Sequence, residues 1–139
     1  MINPISRRFK KVNRKLLRNT YENKSCKLCF APIGIQALEK GFLTVRQIEA
    51  VRRTITGRLK RKGKVWIRAF PDYPRTAKPK EVRMGRGKGN VDHWVSFVKP
   101  GKILFEVYSK EVEKLKEALD FASKKIPLHT QIITRDLQI

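Results

Sequence analysis

The stretch RMGRGKGNVDHWVSFVKPGKILFEVY, residues 83–108, decides how this chain is read. It opens on Gly85, Gly87 and Gly89 alternating with Arg86 and Lys88, so cationic side chains hang from a backbone with almost no bulk. Without a spacer it becomes an alternating apolar run over 91–98 with Trp94 near its start, the pattern of a half-buried strand. Lys99-Pro100-Gly101-Lys102 follows; Pro at the second and Gly at the third position specify a type II turn. Residues 103–108 are again β-prone, so strand, turn and strand predict a β-hairpin. Trp94, Phe97, Ile103 and Phe105 read as packing residues of that hairpin rather than as platforms for bases. A flexible cationic loop anchored on a rigid strand suits an anion approached closely by backbone, and the expectation is the phosphate backbone of folded RNA.

Working outward, residues 64–70 (KVWIRAF) predict a strand closed by Pro71 and Pro74 in a turn-rich stretch. Before it lies the clearest helix. Thr44-x-x-Gln47 is a capping box, and Gly63 is a stop signal just past the last turn. Ile48, Val51, Ile55 and Leu59 fall on one arc and face the core, while Arg46, Arg53 and Lys60 recur on nearly the opposite face. Residues 26–38 (CKLCFAPIGIQAL), broken by Pro32 and Gly34, predict two short strands or one bulged strand at a sheet edge. After the hairpin, Ser109 is placed to cap a second helix with Val112, Leu115, Leu119, Ala122 and Ile126 along one side and Pro127 at its end. Residues 128–134 return as a strand. Residues 1–25 lack periodicity and carry many cations, so they read as an extended basic arm. The expected organisation is this arm, 1–25, followed by one domain, 26–139, with its basic loop at 75–92.

Charge is the dominant fact. Among 139 residues, 33 Lys and Arg stand against 12 Asp and Glu, a formal charge of +21. Residues 1–27 hold nine bases and one acid, residues 44–64 eight and one, and residues 75–102 eight and two, which together account for the whole excess. The second helix is nearly balanced and belongs to the support, not to the footprint. Charge confined to three segments implies one extended polyanion-binding surface rather than general solubilisation.

Other chemistries are disfavoured. Cys26-x-x-Cys29 would need two more ligands for a structural zinc site, and only His93 and His129 are on offer, without suitable spacing. No metal, cofactor or small-molecule substrate is expected, and the cysteines read as half-buried thiols. The glycine loop is no P-loop, because Gly89 follows Lys88 where Ser or Thr is required, and Asn90 spoils a dinucleotide fingerprint. His93 and Asp92 have no matched nucleophile, so the chain is expected not to be an enzyme. No apolar run reaches the length of a membrane span, and the N-terminus lacks the apolar centre of a secretory signal.

RQIEAVRRTITGRLKRKGKVWIRAFPDYP (46–74), followed by VRMGRGKGNVDHWVSFVKPGKILFEV (82–107), resembles the universal large-subunit ribosomal protein family numbered sixteen in the bacterial series. The likeness runs from about Phe30 to Ile133, and Met1-Ile-Asn-Pro4 with Arg8-Phe9-Lys10-Lys11 also resembles that family's start. It implies an α+β two-layer sandwich, two helices on antiparallel strands, seated in large-subunit rRNA beside the aminoacyl-tRNA site. It implies that Arg83, Met84, Gly85, Arg86, Gly87, Lys88 and Gly89 form the loop reaching toward tRNA and the peptidyl-transferase region. The cations expected on rRNA are Arg7, Arg8, Lys10, Lys11, Arg14 and Lys15 of the arm, with Arg46, Arg52, Arg53, Lys60, Arg61 and Lys64. Expected partners are therefore rRNA, aminoacyl-site tRNA and neighbouring ribosomal proteins, with no membrane. Pro4-Ile5-Ser6 and KLLRNTYENKSCKLC (15–29) depart from the family pattern. That drift, with a start already in the mature register, points to an organelle-encoded copy in a mitochondrial ribosome, with plastid or bacterial cytoplasm as alternatives. A stand-alone nucleic-acid-binding regulator is the rival; it would need base-reading side chains where this helix offers Arg46, Arg53 and Lys60.

Overall fold

The computed structural model describes residues 4, 10–13, 20–85 and 87–135. In chain order the elements are β1 (Ile33–Ala37), β2 (Gly41–Thr44), α1 (Val45–Arg58), β3 (Lys64–Ile67), β4 (Tyr73–Ala77), β5 (Asn90–Val98), β6 (Ile103–Tyr108), α2 (Val112–Ser123) and β7 (Thr130–Thr134). A four-stranded sheet has the order β3-β6-β1-β7 and a three-stranded sheet the order β2-β5-β4. All pairings are antiparallel. The two helices pack on each other and on the larger sheet, giving the expected α+β sandwich.

The capping box starts α1 as the sequence predicts. Thr44 Oγ1 accepts from the Gln47 N–H at 3.3 Å, and Gln47 Oε1 accepts from the Thr44 N–H at 2.9 Å. Ile48, Val51 and Ile55 are buried on one side of the helix, each contributing about 1.5–3 kcal/mol by leaving water. They meet Ile33, Ile35, Phe105 and Val107 of the sheet and Leu115, Ala118, Leu119 and Ala122 of α2 in one core.

Several expectations need correction. The 99–102 turn forms, with Gly101 at φ +86° and the Lys102 N–H on the Lys99 carbonyl at 3.2 Å. It does not close a hairpin. β5 is flanked by β2 and β4, and β6 by β1 and β3, so neither strand has an edge left for the other. Ala37 redirects the chain: its carbonyl accepts from the Gly101 N–H at 2.7 Å, and its N–H donates to the Lys102 carbonyl at 2.9 Å.

The 26–38 segment gives a strand only over Ile33–Ala37, in the sheet interior and not at its edge, with the bulge between Ile35 and Gln36. The stretch read as turn-rich contains β4, where Pro74 is tolerated because the strand is an edge. β2 was not foreseen. The helix stop is not Gly63 but Lys60 and Arg61, at φ +48° and +63°. Gly63 serves close approach instead, since a Cβ there would lie 2.7 Å from the Tyr108 carbonyl oxygen. Glu111, not Ser109, holds the cap position of α2, with no side-chain cap bond, and Val112 is exposed.

Trp66, Glu106 and Gly34 are cross-strand neighbours on the sheet face away from the helices. The segment before β1 covers that face: Phe30 stacks on Trp66 with ring centres 6.3 Å apart. The fully buried Glu106 carboxylate accepts from the Cys29, Phe30 and Ala31 N–H groups at 3.0, 2.6 and 3.0 Å. Nothing in the local pattern of β6 announces this buried acid.

Candidate nucleic-acid interface

The glycine loop springs from the end of β4 and re-enters the sheet at β5. Gly85 and Gly87 take φ of +104° and +81° with open space around them, so backbone conformation alone calls for glycine there. Gly89 is different: a Cβ would overlap the Ala77 carbonyl oxygen and lie 2.7 Å from its carbon. The loop base is therefore a tight backbone-on-backbone crossing, while Arg83, Lys88 and the 95% exposed Met84 project from it.

Part of the arm clasps this loop. Lys11 Nζ donates to the Lys88 carbonyl at 3.1 Å, and Lys88 Nζ donates in return to the Val12 carbonyl. The Tyr73 hydroxyl of β4 donates to the Asn13 carbonyl at 2.9 Å. Further along, the Glu22 N–H meets the Pro100 carbonyl and the Ile103 N–H meets the Ser25 carbonyl, both at 2.9 Å. Lys11 is thereby placed beside the loop, and Lys10 precedes it, exposed; Arg7, Arg8, Arg14, Lys15 and Arg86 lie outside the described residues.

The helix stripe is less uniform than its spacing predicts. Glu49 holds two of the expected cations: Arg52 donates from Nε at 2.9 Å and from a terminal nitrogen at 2.6 Å, and Arg53 Nε donates at 3.0 Å. The Arg52 hydrogen bonds, outweighing partial burial and aided by Arg53, pull the Glu49 carboxyl down to about 2. Arg46 and Arg53 line a cleft of about 1200 Å³ between α1 and β5, together with Asp92, His93, Trp94 and Lys125. Lys60 does not continue that line. It sits past the helix end in a separate concavity with Arg58, Lys62 and Lys114. Arg61 follows it in a left-handed conformation, and Lys64 opens β3, exposed.

Two contributors escaped the sequence reading. Lys78 Nζ donates to the Gly85 carbonyl at 2.5 Å, bracing the loop from the β4 side. Lys125, just past α2, lines the α1–β5 cleft, although its sequence neighbourhood reads as support and not as footprint. Proximity of this kind depends on how α2 crosses α1 and leaves no local signal. His93 Nδ1 lies 2.7 Å from Asp92 Oδ2 at the cleft rim. Cys26 is half-buried, while Cys29 is exposed rather than half-buried. Among the described residues no three His, Cys, Asp or Glu side chains gather as a metal site, and no helix is long and apolar enough to cross a membrane.

Fold and charge together describe a strongly basic α+β sandwich protein. Residues 4–133 match the family model described as ribosomal protein L16p/L10e. The large ribosomal subunit protein uL16 of Psychrobacter arcticus is 47% identical over 138 residues, 99% of each chain. Those of Acinetobacter baumannii and Acinetobacter baylyi are each 48% identical over 136 residues, 97% of this chain and 98% of theirs. The chain belongs to the ribosomal protein L16p/L10e family, and is thus a structural, non-enzymatic component of the large ribosomal subunit. These relatives are bacterial, which supports a bacterial ribosome and lends none to the mitochondrial expectation.

Proposed function

We propose that the chain clamps large-subunit rRNA with its 1–25 arm and the cations of α1 and its following turn, and that the 83–89 loop helps position aminoacyl-site tRNA. The domain formed by residues 26–139 is the scaffold. The observation that carries this reading is the reciprocal clasp of Lys11 and Lys88, each amine bound to backbone of the other segment. It joins two of the three cationic segments into one surface, as a single folded polyanion requires. Arginine forks give the more directional phosphate contacts and lysines act as point charges. Glu49 stiffens Arg52 and Arg53 without cancelling them, because one carboxylate faces two guanidinium groups. The relatives suggest that the ribosome concerned is bacterial.

The loop's role is tested with Arg83→Ala combined with Met84→Ala, both exposed and outside the core. The variant is expected to fold and to enter large subunits but to slow accommodation of aminoacyl-tRNA, read by rapid kinetics. Unchanged accommodation would refute the tRNA role and leave the rRNA role standing.

A further inference from the structure

We infer that the cleft between α1 and β5 receives a single nucleotide extruded from an RNA helix, its base against Trp94 and its phosphates on Arg46, Arg53 and Lys125. This rests on the RNA-binding reading above and deepens it, since it names a form of RNA rather than RNA in general.

The cleft is built by three elements distant in sequence. Arg46 and Arg53 come from α1, Asp92, His93 and Trp94 from β5, and Lys125 from the chain just past α2. At about 1200 Å³ it exceeds what one small ion would fill and leaves room for a nucleotide with its flanking phosphates. Its chemistry is divided. The β5 wall offers the half-buried Trp94 indole, which the sequence alone reads as a packing residue, and the helical side carries the guanidinium groups. A base has an apolar π-face and an edge, attached to phosphates a few ångströms away, so it uses both walls at once. A paired base in a helix offers only its phosphates and would leave the Trp94 side unused; an acidic peptide likewise asks only for cations.

The acids present do not turn the cleft against a polyanion. Glu49 is shared by Arg52 and Arg53. Asp92 is held by His93 Nδ1 at 2.7 Å. Thr44 and Thr54 add hydroxyl groups to the lining.

The test compares the full chain's binding to a short RNA duplex, the same duplex with one unpaired adenosine, and a bulge whose extra nucleotide is abasic. The proposal expects a preference for the adenosine bulge on the order of tenfold over the paired duplex, mostly lost in the abasic form. Trp94→Leu should erase that preference while leaving paired-duplex binding in place, whereas Lys125→Gln should weaken bulged and paired binding alike. In a Trp66→Phe background, where Trp94 is the remaining indole, the bulged RNA should quench its fluorescence and the paired duplex should not. Equal binding of bulged and paired RNA overturns the inference but not the rRNA-binding reading. Displacement of the adenosine bulge by a polyglutamate peptide with the same quenching of Trp94 overturns it in favour of an acidic protein segment. Failure to bind any of the RNAs overturns both.

Discussion

Arg68, just past β3, and Glu106 of the neighbouring β6 meet at 2.6 Å, with the Glu106 side chain fully buried and that of Arg68 15% exposed. The other carboxylate oxygen takes the three N–H groups of residues 29–31. A buried ion of this kind is tolerated because both carboxylate oxygens accept hydrogen bonds, one of them from a cation, and it fixes one path for the incoming chain where apolar contact would allow several. The anchored segment leads back to the arm, so this pair joins the neutral scaffold to the cationic surface.

Glu106→Ala strands the guanidinium and three amide groups, and Arg68→Ala leaves the carboxylate short of its counter-charge. Breaking a buried pair from one side costs about 3–5 kcal/mol. Each variant should unfold at markedly lower urea. Protection of the amides of residues 29–31 from hydrogen exchange should collapse in Glu106→Ala. Wild-type midpoints in both would show the pair to be incidental.

Acid should act through the same carboxylate. Burial pushes the Glu106 carboxyl up, but hydrogen bonds from Phe30, Ala31, Arg68 and Cys29 more than offset it, leaving it below its ordinary 4.5. Glu49 is pulled from 4.5 to about 2, chiefly by Arg52. A depressed folded value means that the unfolded chain binds the extra protons as pH falls. Both contributions are complete above pH 4.5 and fade below it, that of Glu49 through about pH 2. The stability profile of Glu49→Gln should therefore be flatter than wild type across that window and parallel to it above pH 5–6 or so. Parallel acid limbs would contradict the assignment.

The loop glycines should separate by mechanism. Gly85→Ala meets open space and pays for its left-handed backbone alone, about 1 kcal/mol. Gly89→Ala must move the Ala77 peptide itself, so it should shift the β4–β5 pairing and loosen Lys88 from Val12. Chemical-shift changes reaching Thr76 and His93 are expected for Gly89→Ala and not for Gly85→Ala. Similar, purely local changes in both would remove the close-approach argument.

What the sequence made legible was local. The Thr44–Gln47 cap, the buried arc of Ile48, Val51 and Ile55, and the 99–102 turn are each written in a few adjacent residues, and each is present. What it concealed was pairing. The same turn that reads as a hairpin sends β5 and β6 into different sheets, because Ala37, more than sixty positions away, captures the chain past Gly101. Pro74 reads as a breaker unless the strand is known to be an edge. For the interface, charge counting found the arm, the helix and the loop. It could not find that Glu49 takes up Arg52 and Arg53, that Lys60 turns away past the helix end, or that Lys125 arrives from just past the second helix. These are properties of packing angles, not of composition.

A chain whose cationic segments grip one folded RNA inside the large subunit must move with that subunit. Sedimentation of tagged chain from cell extract through gradients of rising salt tests it most directly. The chain should travel with the large subunit at moderate salt, while binding of the free chain to isolated rRNA falls by several decades over the same range, as about ten phosphate contacts require. Recovery of the chain only in ribosome-free fractions, or rRNA binding indifferent to salt, would contradict it.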